Sequence, residues 1–212
     1  MSMDLGFFKP WREIERTHNR LPHWQQEGAT YFVTWRLADS LPKSLLDAHY
    51  AERDQWPRLH PEPWSQETEA EYHRLFSRRL DAWLDEGHGS CLLRDPRHAA
   101  VVAGALRHFE GERCAMISFV IIPNHVHCLF TLHPEWTLEQ IVHSWKRFSA
   151  REIHRTNGAA GSLWMKNYFD RIIRDPAHLH NCVRYIRRNP EKAALGIGEF
   201  LLEESPLACS IV

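Results

Sequence analysis

The sequence contains no Cys-x-x-Cys pair, and its five cysteines, Cys91, Cys114, Cys128, Cys182 and Cys209, are odd in number. That pattern argues against a zinc ribbon or a disulfide framework and leaves the thiols as small apolar residues of a reducing compartment. Met1 to Arg12 lacks the apolar stretch of a secretory leader, and no apolar run approaches the length needed to cross a bilayer. A cytoplasmic location is expected. Charge of one sign is not in excess either: 26 Lys and Arg stand against 27 Asp and Glu, a formal net charge of -1. There is no internal repeat or low-complexity tract. At 212 residues the chain is short for a TIM barrel, while its 43% hydrophobic content suffices for one core.

The charges present are unevenly placed. Between Ile141 and Lys192 eleven Lys and Arg stand against four Asp and Glu, 11 - 4 = +7, which marks a phosphate-facing half. The stretch from about Leu41 to His88 has the opposite sign, with ten carboxylates against five arginines and Lys43. Prolines at 57, 61 and 63 interrupt it, and Ala70 to Leu84 is its most convincing helix. This charged stretch is expected to form a helical insertion at about 41–92.

Two imidazoles separated by one apolar residue, His125-Val126-His127, open the run that continues Cys128-Leu129-Phe130. In a strand the two-residue side-chain period puts both histidines on one face and Val126, Cys128 and Phe130 on the other. Cys114 to Ile122 is a second apolar, β-branched run, and Pro123-Asn124 is a turn signal between the two. A hairpin would therefore present a pair of metal-capable imidazoles. The alternative is that the pair decorates the polar face of an amphipathic strand.

A helix is marked further on at both ends: Asp175 as N-cap, Pro176 at the first helical position, and Pro190 disfavouring helical backbone at the residue before it. Leu179, Cys182, Val183 and Ile186 repeat at i, i+3, i+4 and i+7 as its apolar stripe. Tyr185 and Asn189, four residues apart, project from one edge, so a phenol and an amide face one target.

His-hydrophobic-His after Pro-Asn, followed by Tyr-Ile-x-x-Asn-Pro, resembles the single-tyrosine HUH transposases, and specifically their REP-associated tyrosine transposase branch. Further blocks carry the resemblance in order: Leu21-Pro22-His23-Trp24, Gly28 to Leu37, Arg107-His108-Phe109, Ser144-Trp145-Lys146 and Tyr168-Phe169-Asp170-Arg171. The chain departs from the pattern at Glu191, where the family more often has an aliphatic residue, and in its tail Pro206 to Val212. The resemblance implies cleavage and rejoining of single-stranded, hairpin-forming DNA through a 5′-phosphotyrosine on Tyr185. It further implies a divalent ion, magnesium or manganese, on His125 and His127, with Asn189 as third ligand. Two imidazoles and an amide do not choose the ion by themselves, since imidazole also suits zinc, nickel and copper. A monomer acting in cis is implied, with Lys146, Arg147, Lys166, Arg184 and Arg188 on DNA. Trp164, in a Gly/Ser-flanked stretch, is the expected base-stacking ring, whereas Trp145 and Phe148 belong to the core stripe of their helix. A domesticated, non-catalytic nucleic-acid-binding module is the other reading, and a metal hydrolase unrelated to DNA a third.

The coarse order is strand (Thr30–Leu37), insertion, helix (Pro96–Phe109), hairpin (Cys114–Thr131), helix (Leu138 to about Arg155, behind the capping box Thr137-Leu-Glu-Gln140), extended segment (164–174) and the Tyr185 helix. It predicts an α+β, ferredoxin-like (RRM-like) sandwich with an antiparallel sheet, one domain over 1–212.

Overall fold

The computed structural model describes residues 5–12, 15–18, 22–61, 64–158 and 160–211. Leu21, Glu62, Pro63 and Val212, all part of the sequence reading, lie outside them. A small antiparallel ribbon of β1 (Glu15–His18) and β2 (Pro22–Gln25) precedes the main sheet. The main sheet contains β3 (Thr30–Arg36), β4 (Cys114–Ile122), β5 (His125–Leu132), β6 (Phe169–Ile172) and β7 (Leu201–Glu204) in the order β6-β3-β5-β4-β7, with every pairing antiparallel. Its first four strands have the ferredoxin-like order expected. The fifth, β7, extends the β4 edge and comes from the C-terminal stretch, to which the sequence reading had assigned no strand.

Helices cover both faces, which is why β3 and β5 are buried along their whole length. On one face α4 (Pro96–Arg107) and α5 (Leu138–Asn157) pack over Tyr31, Val33, Trp35, Val126, Cys128 and Phe130. On the other, α6 (Pro176–Lys192) and α7 (Pro206–Cys209) cover Phe32, Val120, Ile122 and Leu129. Because alternate residues of a strand face opposite ways, His125 and His127 share the α6 side with Leu129.

Local chemistry explains the helix ends. The Thr137 side chain accepts from the Gln140 amide, and the Gln140 side chain accepts from the Thr137 amide, so the capping box forms as expected. The Asp175 carboxylate accepts the His178 N–H at 2.8 Å. The stripe Leu179, Cys182, Val183 and Ile186 is buried. Helix α6 does not stop before Pro190, however, but runs three residues further to Lys192. Proline removes one backbone donor, yet Asn189 and Pro190 are both buried, and the Ala193 and Leu195 amides bond the Asn189 and Pro190 carbonyls. Tertiary packing has overridden the local preference. Phe148 is likewise not core but 43% exposed.

The insertion contains α1 (Lys43–Leu59), α2 (Gln66–Tyr72), a π-helical turn (His73–Ser77) and α3 (Arg78–Asp85). It has its own small core of Leu41, Leu46 and Leu84. Its exit is fastened at Gly89, whose φ of +85° and close approach to the Asp39 carbonyl leave no room for a Cβ. Among the described residues no helix is long and apolar enough to cross a membrane.

Candidate active site

The site forms where the hairpin strand β5 meets the last turns of α6. Register fixes its floor: on β3, Thr34 lies opposite His127 and Arg36 opposite His125, and cross-strand partners share a face. Both histidines are fully buried. Their Nε2 atoms lie 2.9 Å apart.

Hydrogen bonds decide which imidazole nitrogens carry protons. Asn124 Nδ2 donates to the Leu84 carbonyl at 3.0 Å and to the His88 carbonyl at 3.3 Å, so its Oδ1 must accept. His125 Nδ1–H is the donor to it, at 2.8 Å. His125 Nε2 is thereby left with a bare lone pair. His127 Nδ1 lies 2.6 Å from Thr34 Oγ1, a partner able either to donate or to accept. With Thr34 donating, His127 Nε2 carries the proton shared with His125. With Thr34 accepting, both Nε2 lone pairs point at one spot, an arrangement that a cation would relieve. A carbonyl or hydroxyl behind each imidazole is the usual means of orienting metal-binding histidines.

The third expected ligand fits the same spot. Asn189 is fully buried, its Nδ2 lies 3.3 Å from His127 Nε2, and among the described residues its Oδ1 has no hydrogen-bond partner. A half-turn of the amide would aim that unpartnered oxygen where the nitrogen now lies. Two donors at right angles on an ion with bonds of about 2.1 Å stand about 3 Å apart, close to the observed Nε2 separation. The residues present therefore fit a divalent ion. Among the described residues no group of three His, Cys, Asp or Glu side chains is placed to hold a metal.

Electrostatics keep the imidazoles neutral. Burial, followed by Lys192, lowers the His127 pKa to about 3; burial, then His127, then Arg36, hold that of His125 well below its ordinary value. Arg36 is itself buried, with one terminal nitrogen on Ser40 Oγ at 2.9 Å and the other unpartnered.

Tyr185 packs edge-on against His127, ring centroids 5.2 Å apart, and against Phe32 at 5.7 Å. Lys192 Nζ lies 4.3 Å from its ring centroid. The Asp81 carboxylate of the insertion lies near enough to act electrostatically on the phenol. Burial first, then the Asp81 charge, raise the phenol well above the ordinary tyrosine range. Tyrosine, imidazoles and amide are thus brought together within one chain.

Residues 98–189 match the family model described as "Transposase IS200 like". The IS200-like segment is somewhat under half of the chain and contains His125, His127, Tyr185 and Asn189 while leaving out β3 and the insertion. The resemblance to the single-tyrosine transposases read from the sequence is borne out by this match. No curated protein matches. Among solved structures, one titled as a REP-associated tyrosine transposase bound to a REP hairpin matches at 14% identity and a TM-score of 0.41, over 82% of this chain and 74% of that one.

The residues expected on DNA are not gathered in one place. Arg184 and Arg188 are exposed, one turn apart on α6. Lys146 and Arg147 belong to α5, on the opposite face of the sheet, and Lys166 follows in the loop before β6. Arg147 and Lys166 are exposed, but Lys146 Nζ donates to the Met165 and Lys166 carbonyls, both at 2.8 Å, and its pKa is lowered to about 8 by burial. Trp164 corrects an expectation. It is 4% exposed, packs edge-on against Trp35 and donates its indole N–H to Ser149 Oγ at 3.0 Å, so it is core and offers no face to a base. An irregular flanking sequence had suggested a loop, whereas a bridge to Leu37 draws the ring inward. Sequence reasoning missed Thr34, Arg36 and Asn124. All three lie inside blocks already quoted, where a polar residue opposite or beside each histidine is the available signal.

Proposed function

We propose that the chain is a metal-dependent endonuclease and strand transferase of single-stranded DNA, acting through a 5′-phosphotyrosine intermediate on hairpin-forming, REP-like repeats. The observation that supports it most is Tyr185 packed against His127 beside two neutral imidazoles and an unpartnered amide oxygen. In this reading Tyr185 Oη bonds to phosphorus as the bond from phosphorus to O3′ breaks, freeing a 3′-hydroxyl and keeping the 5′-phosphate on the protein. Attack by a 3′-hydroxyl reverses the step. The covalent link conserves the energy needed for rejoining. His125, His127 and Asn189 would hold magnesium or manganese, which when bound neutralises charge on the phosphate oxygens. Because burial keeps both imidazoles neutral, they accept a cation without first losing a proton. Since one chain carries all four groups, the protein would act in cis as a monomer, with Arg184 and Arg188 positioned to meet phosphates beside the tyrosine.

The test is a denaturing-gel assay for covalent protein–DNA adduct, using a pool of single-stranded hairpin oligonucleotides with manganese. The wild type is expected to form adduct and Tyr185→Phe none, with hairpin affinity retained. Adduct from the Phe variant, or none from the wild type in magnesium and manganese alike, would overturn the reading; the latter outcome favours a non-catalytic binding module.

A further inference from the structure

The insertion lies wholly outside the matched segment 98–189, yet two of its backbone carbonyls reach the residue behind His125. Asn124 Nδ2 donates to the Leu84 carbonyl at 3.0 Å and to that of His88 at 3.3 Å, while its Oδ1 accepts from His125 Nδ1 at 2.8 Å. Leu84 is held in the insertion's own core with Leu41 and Leu46, and Gly87 and Gly89, with φ of +73° and +85°, make the turn that brings both carbonyls to one point after α3. The backbone beside Asn124 is fixed separately: the Pro123 carbonyl accepts the Leu93 N–H at 3.0 Å, and the Asn124 carbonyl the Leu37 N–H at 2.8 Å. The side-chain amide alone is left to turn, and its two orientations offer His125 different things. With the oxygen forward, Nδ1 carries the imidazole proton and the Nε2 lone pair is free for a metal. With the nitrogen forward, Nδ1 must accept, and the proton moves to Nε2, where it occupies the ligand position. The Leu84 and His88 carbonyls can only accept, so they favour the first orientation and would meet the amide oxygen in the second.

We propose that Asn124 is a positioning residue through which the insertion holds His125 in its metal-binding tautomer, a role that rests on the assignment of His125 as a ligand made above. The insertion then belongs to the metal site without contributing a ligand of its own. Partners behind metal-bound histidines are worth about 10- to 100-fold in metal affinity, which sets the size of the effect. The coupling is reciprocal: whatever a docked insertion adds to the affinity for the ion, the ion adds to the docking of the insertion.

The deciding measurement is the manganese affinity of the full chain at neutral pH without DNA, read from the free-ion signal in electron paramagnetic resonance. Asn124→Leu is expected to weaken binding about 10- to 100-fold. Asn124→Asp, whose carboxylate can only accept from Nδ1–H, is expected to restore it close to the wild-type value. Gly89→Ala tests the insertion itself, because a Cβ there collides with the Asp39 carbonyl and the turn bearing the His88 carbonyl must shift. It should weaken binding in the wild-type background and have no further effect beside Asn124→Asp, which no longer needs the carbonyls. If the variants fold poorly, nitrogen-15 spectra of the metal-free wild type decide: the His125 ring is expected to be protonated at Nδ1, and a proton on Nε2 would overturn the proposal. Equal affinity for Asn124→Leu and the wild type, or the same loss from Gly89→Ala in both backgrounds, would overturn the role of Asn124 while leaving His125 a ligand. Manganese binding unchanged by His125→Ala would remove the ligand assignment and this one together.

Discussion

Acid is expected to destabilise the metal-free protein before carboxylate chemistry alone would do so. His127 has a folded-state pKa of about 3 against an unfolded value of about 6.5. Its folded pKa is depressed, so the unfolded chain binds the extra proton; the stability it contributes is complete above about pH 7 and is lost as pH falls from 6.5 toward 3. Between pH 7 and pH 5 the loss from this one imidazole is about 2 kcal/mol. For a chain of this length that is a fall in the melting midpoint of about 4–8 °C. His125 and His49 have pKa values shifted in the same direction and add to it. Asp85, whose pKa burial raises to about 6, opposes it by taking up a proton in the folded state, though partial exposure screens that contribution. The assay is urea unfolding in EDTA at both pH values, for the wild type and for His127→Asn, which has no proton to gain. The variant is expected to show a pH 7 to pH 5 loss smaller by about 2 kcal/mol. Identical pH dependence in the two proteins would refute the assignment of a buried, neutral His127.

Asn189→Leu, which removes an amide whose oxygen has no partner, is expected to leave stability in EDTA within about 1 kcal/mol of the wild type. The same variant should lose the thermal shift that manganese gives the wild type, and an unchanged shift would remove Asn189 from the ligand set. Ile186→Ala, at a fully buried position of α6, should cost about 2–5 kcal/mol by chemical denaturation. A loss below 1 kcal/mol would mean that the helix carrying Tyr185 is anchored elsewhere.

What was legible in the sequence was whatever short-range chemistry determines. The period-2 run His125 to Phe130, the capping box at Thr137 and the N-cap at Asp175 involve residues within five positions of one another, and each forms as read. The junction of His125, His127, Tyr185 and Asn189 was approachable because both elements declare which edge each side chain occupies. Contacts between distant segments left no such trace. Trp164 looked like a loop residue because nothing nearby announces its bridge to Leu37, and α6 runs through Pro190 because burial outweighs the local preference at Asn189. The strand β7 was missed for the same reason: four residues hold their place by pairing with the β4 edge and by the distant partners Arg107 and Arg187, with no periodic pattern long enough to signal them.

The opposed charges of the two halves acquire a common meaning at the site. The acidic insertion and the basic segment, separate in sequence, meet where Asp81 and Asp85 of α3 face Arg171 of β6 and Tyr185 and Lys192 of α6. Lys192 acts electrostatically on those carboxylates and also depresses His127. A phosphate arriving beside Tyr185 would compete with Asp81 and Asp85 for that charge. The consequence is directional: Lys192→Met should raise the hairpin concentration that half-saturates the adduct rate, and an unchanged value would refute the competition.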